Sequence, residues 1–167
     1  YTFFTIDPGD HVDNAAHTDS PDVLRRKFEQ LPWDRLEDTQ EAMRDRYLDQ
    51  THLIGGLSLA YDEVSLLRAA AKYGRAIAHA VKMDRHLKRA KGDAPFDLEV
   101  SVDETETPTT PLEHLFIASE LKRLGVRWVS LAPRYVGRFE KGVDYIGDLE
   151  TFAASFTKHA AIARAVG

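Results

Sequence analysis

Acidic and hydroxyl side chains occupy every second position in the segment FDLEVSVDETETP, residues 96–108. They are Asp97, Glu99, Ser101 and Asp103, and Glu104 and Glu106 follow closely. Because successive side chains of a strand point to opposite faces, this alternation predicts a strand with one polar face. Carboxylates grouped in this way can transfer protons as general acids and bases, or bind divalent cations. An isolated buried carboxylate is too costly to keep ionised, so we expect Glu99 either to serve such a site or to pair with an arginine of a neighbouring strand.

A second group of acids and histidines follows the first strand candidate, YTFFTID. In the loop sequence DPGDHVDNAAH it contains Asp7, Asp10, His11, Asp13 and His17. Carboxylates bind hard divalent cations, and imidazole joins them when the metal is manganese, iron, nickel or zinc. The spacing alone is weak support, but in a parallel sheet this loop lies at the same strand end as Asp103 and Glu104. His17 is expected at the surface, and the histidines on helices or their approaches are expected to be structural or solvated.

The composition of the 167-residue chain excludes several classes of function. Its formal net charge of -5 provides no basic patch for a phosphate backbone, so we expect no nucleic-acid partner. Cysteine is absent, which excludes disulfides, thiolate nucleophiles and Cys-ligated metals. No apolar run reaches the roughly 20 residues of a membrane span, and the N-terminus lacks the basic start of a signal peptide, so we expect a cytoplasmic protein without a membrane partner. The first residue, Tyr1, already lies in a strand-like run, and we expect the chain to be part of something larger.

Turn and capping residues divide the chain into alternating strands and helices. Helices are predicted from Pro21 to Leu31, from about Asp34 to Asp49, from Asp62 to Gly92, from Thr110 to Gly125 and from Asp148 to Gly167. Strands are predicted over Tyr1–Asp7, Leu98–Asp103 and Trp128–Leu131. The segment THLIGGLSLAYDE fits either a short strand or a glycine-bearing loop. Strands and helices connected in this order indicate parallel strands with right-handed crossovers.

Polar residues share one face in each of the three predicted strands. The groups are Thr5 with Asp7, Glu99 with Ser101 and Asp103, and Ser130 with Arg134. Strands covered on both faces usually read as continuous apolar runs, whereas alternate residues of a β/α-barrel point into its lumen and the active site forms at the carboxyl ends of the strands. We therefore predict an α/β fold of the (β/α) TIM-barrel type, only partly covered by this chain, with a helical insertion at about residues 20–50. A doubly wound open sheet is the alternative, since its ligands also bind beyond the carboxyl ends of the strands. It explains less well why the polar positions extend two residues back from those strand ends.

Three segments resemble the tagaturonate epimerases, enzymes that interconvert the sugar acids tagaturonate and fructuronate. They are FFTIDPGDHVD, KYGRAIAHA and the long run from FDLEVSVDETETPTTP to DYIGDLETF, in which DET-TP and SLAPR-VG-FEKG-DYIGD are the most specific parts. The resemblance covers most of the chain. It implies a β/α-barrel that depends on a divalent metal (manganese, nickel, zinc or iron) and is considerably longer than this chain, with a later strand supplying part of the site.

The same resemblance carries over site residues one by one. Asp7, Asp10 and His11 match its first acidic motif, Glu99, Ser101, Asp103 and Glu104 match its second, and Arg134 matches the arginine of its third. It implies catalysis by Asp7 and Glu104, metal binding by His11, Glu99 and Asp103, and substrate binding by Asp10, Ser101 and Arg134. Which of Glu99, Asp103 and Glu104 touches metal stays open.

The chemistry of the implied reaction is compatible with these side chains. The two sugar acids differ at a carbinol carbon β to the ketone, whose C–H is not acidic, so enolisation cannot invert it. Retro-aldol cleavage followed by addition to the other face can invert it. That route uses a metal for the enediolate charge, a carboxylate for the hydroxyl proton and a cation for the substrate carboxylate.

Two other functions stay open from the sequence. One is a different metal-dependent sugar isomerase or aldolase acting on a neutral sugar, which would not need the cation of Arg134. The other is a barrel piece that binds sugar or metal without catalysis, or has no activity. Because a few strands cannot close a barrel of eight, a chain of this length expressed alone is expected to expose its sheet edges and to form homo-oligomers or dissolve poorly.

Overall fold

The computed structural model, which describes all 167 residues, contains five strands and five α-helices. In chain order they are β1 (Phe3–Ile6), α1 (Pro21–Glu29), α2 (Gln40–Tyr47), β2 (Thr51–Ile54), β3 (Leu57–Ala60), α3 (Glu63–Lys91), β4 (Asp97–Val102), α4 (Pro111–Arg123), β5 (Ser130–Pro133) and α5 (Leu149–Val166). Two short 3-10 turns, Gly9–His11 and Asn14–His17, lie between β1 and α1.

A parallel sheet of three strands, in the order β1-β4-β5, forms the centre of the fold. Its register places Glu99 of β4 beside Thr5 of β1 on one side and beside Ser130 of β5 on the other. The prediction of parallel strands with these residues on a common face is confirmed. The strand limits differ from prediction by one or two residues, since β1 begins at Phe3 and β5 begins at Ser130.

Hydrophobic packing covers one face of this sheet. Leu98, Val100 and Val102 of β4 are buried in the main core, and Val100 and Val102 line a small void together with apolar residues of α3 and α4. Because side chains alternate along a strand, Glu99 and Ser101 belong to the opposite face. The structure therefore shows a mixed α/β domain with an open three-stranded sheet, and the three strands do not close a barrel.

Capping boxes begin the two helices under the sheet, and the cap predicted for α4 at Thr110 is confirmed. Asp62 and Ser65 form a capping box at the start of α3, and Thr110 and Glu113 form one at the start of α4. Each box satisfies backbone N–H groups that the first helical turn leaves without partners. These caps fix the residue at which each helix begins, and in α4 they lie directly after the loop that carries the acidic motif.

The second predicted helix is shorter than expected. The spacing indicated a helix from about Asp34 to Asp49, but α2 starts only after Thr39, whose hydroxyl accepts a hydrogen bond from the Ala42 amide. Glu37 has φ of 51°, in the left-handed region, which interrupts helical geometry before that cap. The rest of the predicted helical segment at residues 20–50 contains α1, which packs on α3.

The ambiguous segment THLIGGLSLAYDE forms a hairpin. β2 and β3 pair antiparallel through Gly55 and Gly56, which have φ of 53° and 85°. Two positive φ values in a two-residue loop are what a type I′ turn requires, and glycine adopts them without strain. A Cβ on Gly55 would lie 2.8 Å from the Cβ of Ala161, so the turn also packs closely on α5.

The apolar side of α5 is only partly covered. Helical spacing in the sequence predicts one apolar side, made of Leu149, Phe152, Ala153, Phe156, Ala160 and Ala163. In the structure Leu149 is 66% exposed and Phe156 is 46% exposed. His159 and Ile162 are its buried residues. None of the helices combines the length and the apolarity that a membrane span requires.

Two buried histidines join α4 to α5. His114 Nδ1 and His159 Nδ1 are 2.9 Å apart, and neither Nε2 atom has a partner. The bond requires one ring to donate and the other to accept, so at least one ring is neutral. Burial, and then the neighbouring His159, lower the pKa of His114 to about 4, and burial lowers the pKa of His159 as well. The prediction that these histidines are structural fits this arrangement.

This pair predicts acid sensitivity. The folded pKa of His114 lies below the unfolded value of about 6.5, so the unfolded chain binds the proton more readily between the two values and stability falls as pH drops from about 6.5 to about 4. The loss should reach about 3 kcal/mol for a shift of this size. Urea unfolding of wild type and His114→Asn across this range measures it, because asparagine retains a hydrogen-bonding group but does not titrate. In His114→Asn the free energy of unfolding should depend much less on pH than in wild type. In His86→Asn, at an exposed position, it should depend on pH as in wild type. The same pH dependence in all three proteins would contradict the assignment to His114.

Candidate functional site

Glu99 lies at the centre of the polar face of the sheet. Thr5 Oγ1 donates to Glu99 Oε1 at 3.1 Å, and Ser130 Oγ donates to Glu99 Oε2 at 2.7 Å. The two donors come from the strands on either side, so the register of the sheet holds both carboxylate oxygens. The alternative of an arginine pair for Glu99 is therefore not realised. Each oxygen retains lone-pair capacity for a further donor or a cation.

Ser101 and Asp103 continue the same row toward the carboxyl end of β4. Ser101 is buried, and its hydroxyl donates to Asp103 Oδ1 at 2.5 Å. Asp103 is exposed just beyond the strand. A short bond from a neutral hydroxyl orients this carboxylate without neutralising its charge. Ser101 therefore orients Asp103 in this structure, and Glu99 and Asp103 present two carboxylates along the polar face, with Asp103 at its carboxyl end.

An open cleft of about 620 Å³ adjoins Asp103 at this end of the sheet. It is lined by Asp103, Ala132, Pro133, Arg134, Tyr135, Gly137, Arg138, Phe139 and Glu140. The structure thus brings together Asp103 and Arg134, two of the residues that the sequence singled out. A carboxylate beside guanidinium groups can move a proton while a neighbouring cation binds an anionic group.

Arg134 ties the end of β5 to the loop between β4 and α4, residues 103–110. Its Nη1 donates to the Thr105 carbonyl, its main-chain amide donates to Thr109 Oγ1 at 3.1 Å, and its carbonyl accepts from the Thr109 amide at 2.9 Å. Its Nε is buried without a partner. Part of the guanidinium is therefore committed to holding this loop, and the remainder is available to a ligand.

Arg138 is a second cation in the cleft and was not identified from the sequence. Its backbone is fixed by two hydrogen bonds with Ile146, of 2.9 and 3.2 Å. Its side chain is exposed and has no ion-pair partner. One basic residue among several in a loop carries no sequence signal for this role, because its freedom from partners becomes visible only in three dimensions.

The first acidic motif follows β1, and its histidine packs on α3. The Gly9 amide donates to Asp7 Oδ1 at 2.9 Å, which leaves the other oxygen of this exposed carboxylate free. The His11 ring stacks on His79 of α3, with ring centroids 4.1 Å apart. Burial, and then the neighbouring His11, lower the pKa of His79. Asp10 is exposed in the same turn.

No three histidine, aspartate or glutamate side chains converge closely enough in this chain to hold a metal ion. The predicted ligand set of His11, Glu99 and Asp103 is therefore not assembled by these residues. Glu104, the predicted proton-transfer residue next to Asp103, is exposed and makes no side-chain hydrogen bond. The residues present do not by themselves fit a metal site, and a divalent metal stays a prediction.

Lys72 and Asn14 are two further polar residues that sequence reasoning missed. Lys72 is fully buried on α3, and its Nζ donates to Thr107 Oγ1 at 3.1 Å and to Glu113 Oε1 at 3.3 Å. Asn14 Oδ1 accepts a hydrogen bond of 3.0 Å from the Glu106 amide. The available signal was a lysine within the apolar stripe of α3, and its significance depends on the loop that packs over it.

A parallel three-stranded sheet with helices, carboxylates and a cleft beyond its strand ends makes the chain a mixed α/β domain whose candidate site lies at the carboxyl edge of the sheet, where open α/β sheets commonly bind ligands. A model of the family described as tagaturonate epimerase, UxaE, matches residues 1–167. The chain belongs to the tagaturonate epimerase family.

Individual relatives agree with this membership. The tagaturonate/fructuronate epimerase of Thermotoga maritima is 43% identical over 164 residues, which are 98% of this chain and 32% of that protein. Two crystal structures of the fructuronate-tagaturonate epimerase UxaE from Cohnella laeviribosi, one with a bound glycerol and one native, superpose with TM-scores of 0.90 and 0.89 at 35% identity. They cover 100% of this chain and 33% of their own. The chain spans about a third of the length of these relatives.

The glycines of the cleft loop provide a test of its geometry. Gly137 has φ of 86°, and a Cβ there would clash with the Tyr145 hydroxyl, whereas Gly142 has φ of 76° with open space around it. Gly142→Ala should therefore cost only backbone strain, about 1–2 kcal/mol. Gly137→Ala should add a clash of about 1–3 kcal/mol and displace Tyr145. Urea unfolding of the two variants of the full-length protein measures both losses of stability. Equal losses would show that Tyr145 does not pack on Gly137.

Proposed function

We propose that the protein to which this chain belongs interconverts tagaturonate and fructuronate, and that residues 1–167 supply one side of its active site. The observation that carries the proposal is the cleft in which Asp103, just after β4, meets Arg134 and Arg138, which follow β5. A sugar acid needs a cation for its carboxylate and a base for a hydroxyl proton, and this cleft offers both. The names of the relatives point to the same pair of substrates.

We further propose that the sheet is part of a (β/α) TIM barrel completed by the rest of the protein. Both β1 and β5 are edge strands, and the chain matches only 32–33% of its relatives' length. Exposed apolar residues at Phe3, Val129 and Leu149 fit surfaces that further elements would cover. The expected homo-oligomer of the isolated chain follows from the same open edges, and light scattering measures it.

The reaction that fits these substrates is retro-aldol cleavage followed by aldol addition. A carboxylate removes the proton of the hydroxyl on the epimeric carbon. The bond from that carbon to its neighbour beside the ketone then breaks, which leaves an aldehyde and an enediolate. After the aldehyde turns over, the enediolate adds to its other face and the proton returns to the new alkoxide. Bonds and protons balance without an oxidant.

The geometry suggests a division of roles among the chain's own residues. The guanidinium groups of Arg134 and Arg138 hold the substrate carboxylate at the mouth of the cleft. Asp103, oriented by Ser101, and the exposed Glu104 stand at the same strand end as proton-transfer groups. Glu99 is a fixed acceptor deeper on the polar face. Asp7 and Asp10 follow β1, and we keep for them the roles expected from the sequence, catalysis for Asp7 and substrate binding for Asp10.

A divalent metal of the predicted kind, manganese, nickel, zinc or iron, would stabilise the enediolate charge. Because the described carboxylates and histidines do not form a ligand group, we propose that Glu99 and Asp103 bind such an ion only together with ligands from outside residues 1–167. The small-molecule substrate and the cytoplasmic location belong to the same proposal. A metal-dependent isomerase or aldolase for a neutral sugar is the competing function, and the two cleft arginines favour the sugar acid.

Removal of the proposed bases tests the function directly. In the full-length protein, Glu104→Gln and Asp103→Asn should each lower kcat for tagaturonate by about 10²- to 10⁴-fold, the usual contribution of one general base. Glu106→Gln, in the same loop, is the control and should stay within about twofold of wild type. Turnover is followed by the appearance of fructuronate. Wild-type activity in both cleft variants would show that the reaction occurs elsewhere.

Metal dependence is tested separately. Dialysis of the full-length protein against a chelator should abolish epimerisation, and added Mn²⁺, Ni²⁺ or Zn²⁺ should restore it and raise the melting temperature by mass action. Asp103→Asn should reduce the gain in melting temperature. Full activity in a preparation shown to contain no metal would refute the metal requirement while leaving the assignment of substrate intact.

A further inference from the structure

Lys72 lies between the two loops that carry the acidic motifs, although it belongs to neither. It is fully buried in the middle of α3, on the side of the sheet away from the polar face. Taking an ammonium group out of water is costly unless it is paired and hydrogen-bonded, and an apolar residue would suit a helical core position better. A lysine at this place therefore needs an explanation beyond packing.

The ammonium group binds the loop between β4 and α4. Lys72 Nζ donates to Thr107 Oγ1 at 3.1 Å and to Glu113 Oε1 at 3.3 Å. The other oxygen of Glu113 accepts from the Thr110 amide at 2.7 Å, within the cap of α4. The buried pair of Lys72 and Glu113 thus holds the loop at two points. Lys72 binds Thr107, four residues after Asp103, and Glu113 binds the amide of Thr110 at the end of the loop.

The backbone of the same residue binds the loop between β1 and α1. The Lys72 carbonyl accepts a hydrogen bond of 2.9 Å from the Asp13 amide. The next residue of that loop, Asn14, accepts from the Glu106 amide at 3.0 Å and so joins the two loops directly. Lys72, Asn14 and Thr107 form a closed set of contacts beneath both acidic motifs.

We propose that Lys72 is a positioning residue of the epimerase site, which fixes the two loops relative to each other so that Asp103 and Glu104 meet the substrate in the reactive geometry. The inference rests on the proposed function, since it names the reaction whose groups are positioned. Lys72 itself is too deeply buried to touch substrate. Loss of its charge should therefore lower kcat and leave the affinity for substrate nearly unchanged.

The experiment uses the full-length protein and the paired variant Lys72→Met/Glu113→Gln, which removes both buried charges and leaves neither uncompensated. Thermal unfolding and circular dichroism establish that it is folded. For tagaturonate, kcat should fall by about tenfold or more, with KM within about threefold of wild type. The amide of Glu106 should exchange with deuterium at least about tenfold faster, because its loop has lost an anchor.

Tyr47→Phe is the matched control. It removes another buried hydrogen bond to a carboxylate of α4, that of the Tyr47 hydroxyl to Glu120 at 2.8 Å, far along the helix from the two loops. Its kcat should stay within about twofold of wild type even where its melting temperature falls. An equal loss of kcat in Tyr47→Phe would overturn the proposal, because general destabilisation would then account for the effect.

A second pair of variants decides the matter if the paired variant does not fold. Thr107→Val removes the hydroxyl that accepts from the Lys72 ammonium and leaves its second acceptor, Glu113, in place. Thr107→Ser retains that hydroxyl. Valine should lower kcat and speed exchange at Glu106, and serine should restore both. Wild-type kcat and exchange in the folded Thr107→Val or paired variant would overturn the positioning role. Failure of the wild-type protein to convert tagaturonate would instead refute the proposed function, and the exchange comparison would still test how the loops are held.

Discussion

A carboxylate on the middle strand of a parallel sheet requires hydrogen-bond donors at a fixed distance, and Glu99 receives them from both neighbouring strands. Thr5 and Ser130 reach its two oxygens only because β1, β4 and β5 are parallel and in this register. A slip of one residue would turn Glu99 into the apolar core, where no donor awaits it. The polar face, the row toward Asp103 and the cleft beyond it all depend on this register.

The loop between β4 and α4 is held at several points along its length by hydrogen bonds with residues outside the loop. The Arg134 guanidinium donates to the Thr105 carbonyl, and the backbone N–H and C=O of Arg134 both hydrogen-bond to Thr109. Lys72, on α3, donates to Thr107. Buried polar contacts of this kind have few alternative arrangements, because an unpaired partner would be costly. The loop that carries Asp103 and Glu104 is therefore fixed both from the end of β5, by Arg134, and from α3, by Lys72.

Period-two alternation was enough to predict the parallel strands and their common polar face, apolar spacing to predict the start of α3, and the capping residues of α4 to predict its start. They were not enough for the stacking of His11 on His79, because the path of a loop and the rotamers at its end are set by packing and not by local spacing. The late start of α2 was not predictable from local spacing either, since nothing in the residue type of Glu37 signals a positive φ. The open side of α5 shows a further limit: apolar spacing predicts which side of a helix is hydrophobic, but not what covers it.

On the proposed function, substrate binds on the polar face, at the carboxyl ends of β4 and β5. A crystal structure of the full-length protein with bound tagaturonate or fructuronate would show where the sugar acid lies. We expect the sugar carboxylate within hydrogen-bonding distance of Arg134 or Arg138 and the sugar hydroxyls beside Asp103 and Glu104. A second cavity, of about 510 Å³, lies at the opposite end of β5, lined in part by Arg127 and Trp128. Substrate bound in that second cavity, with the cleft at Asp103 empty, would refute this placement of the active site.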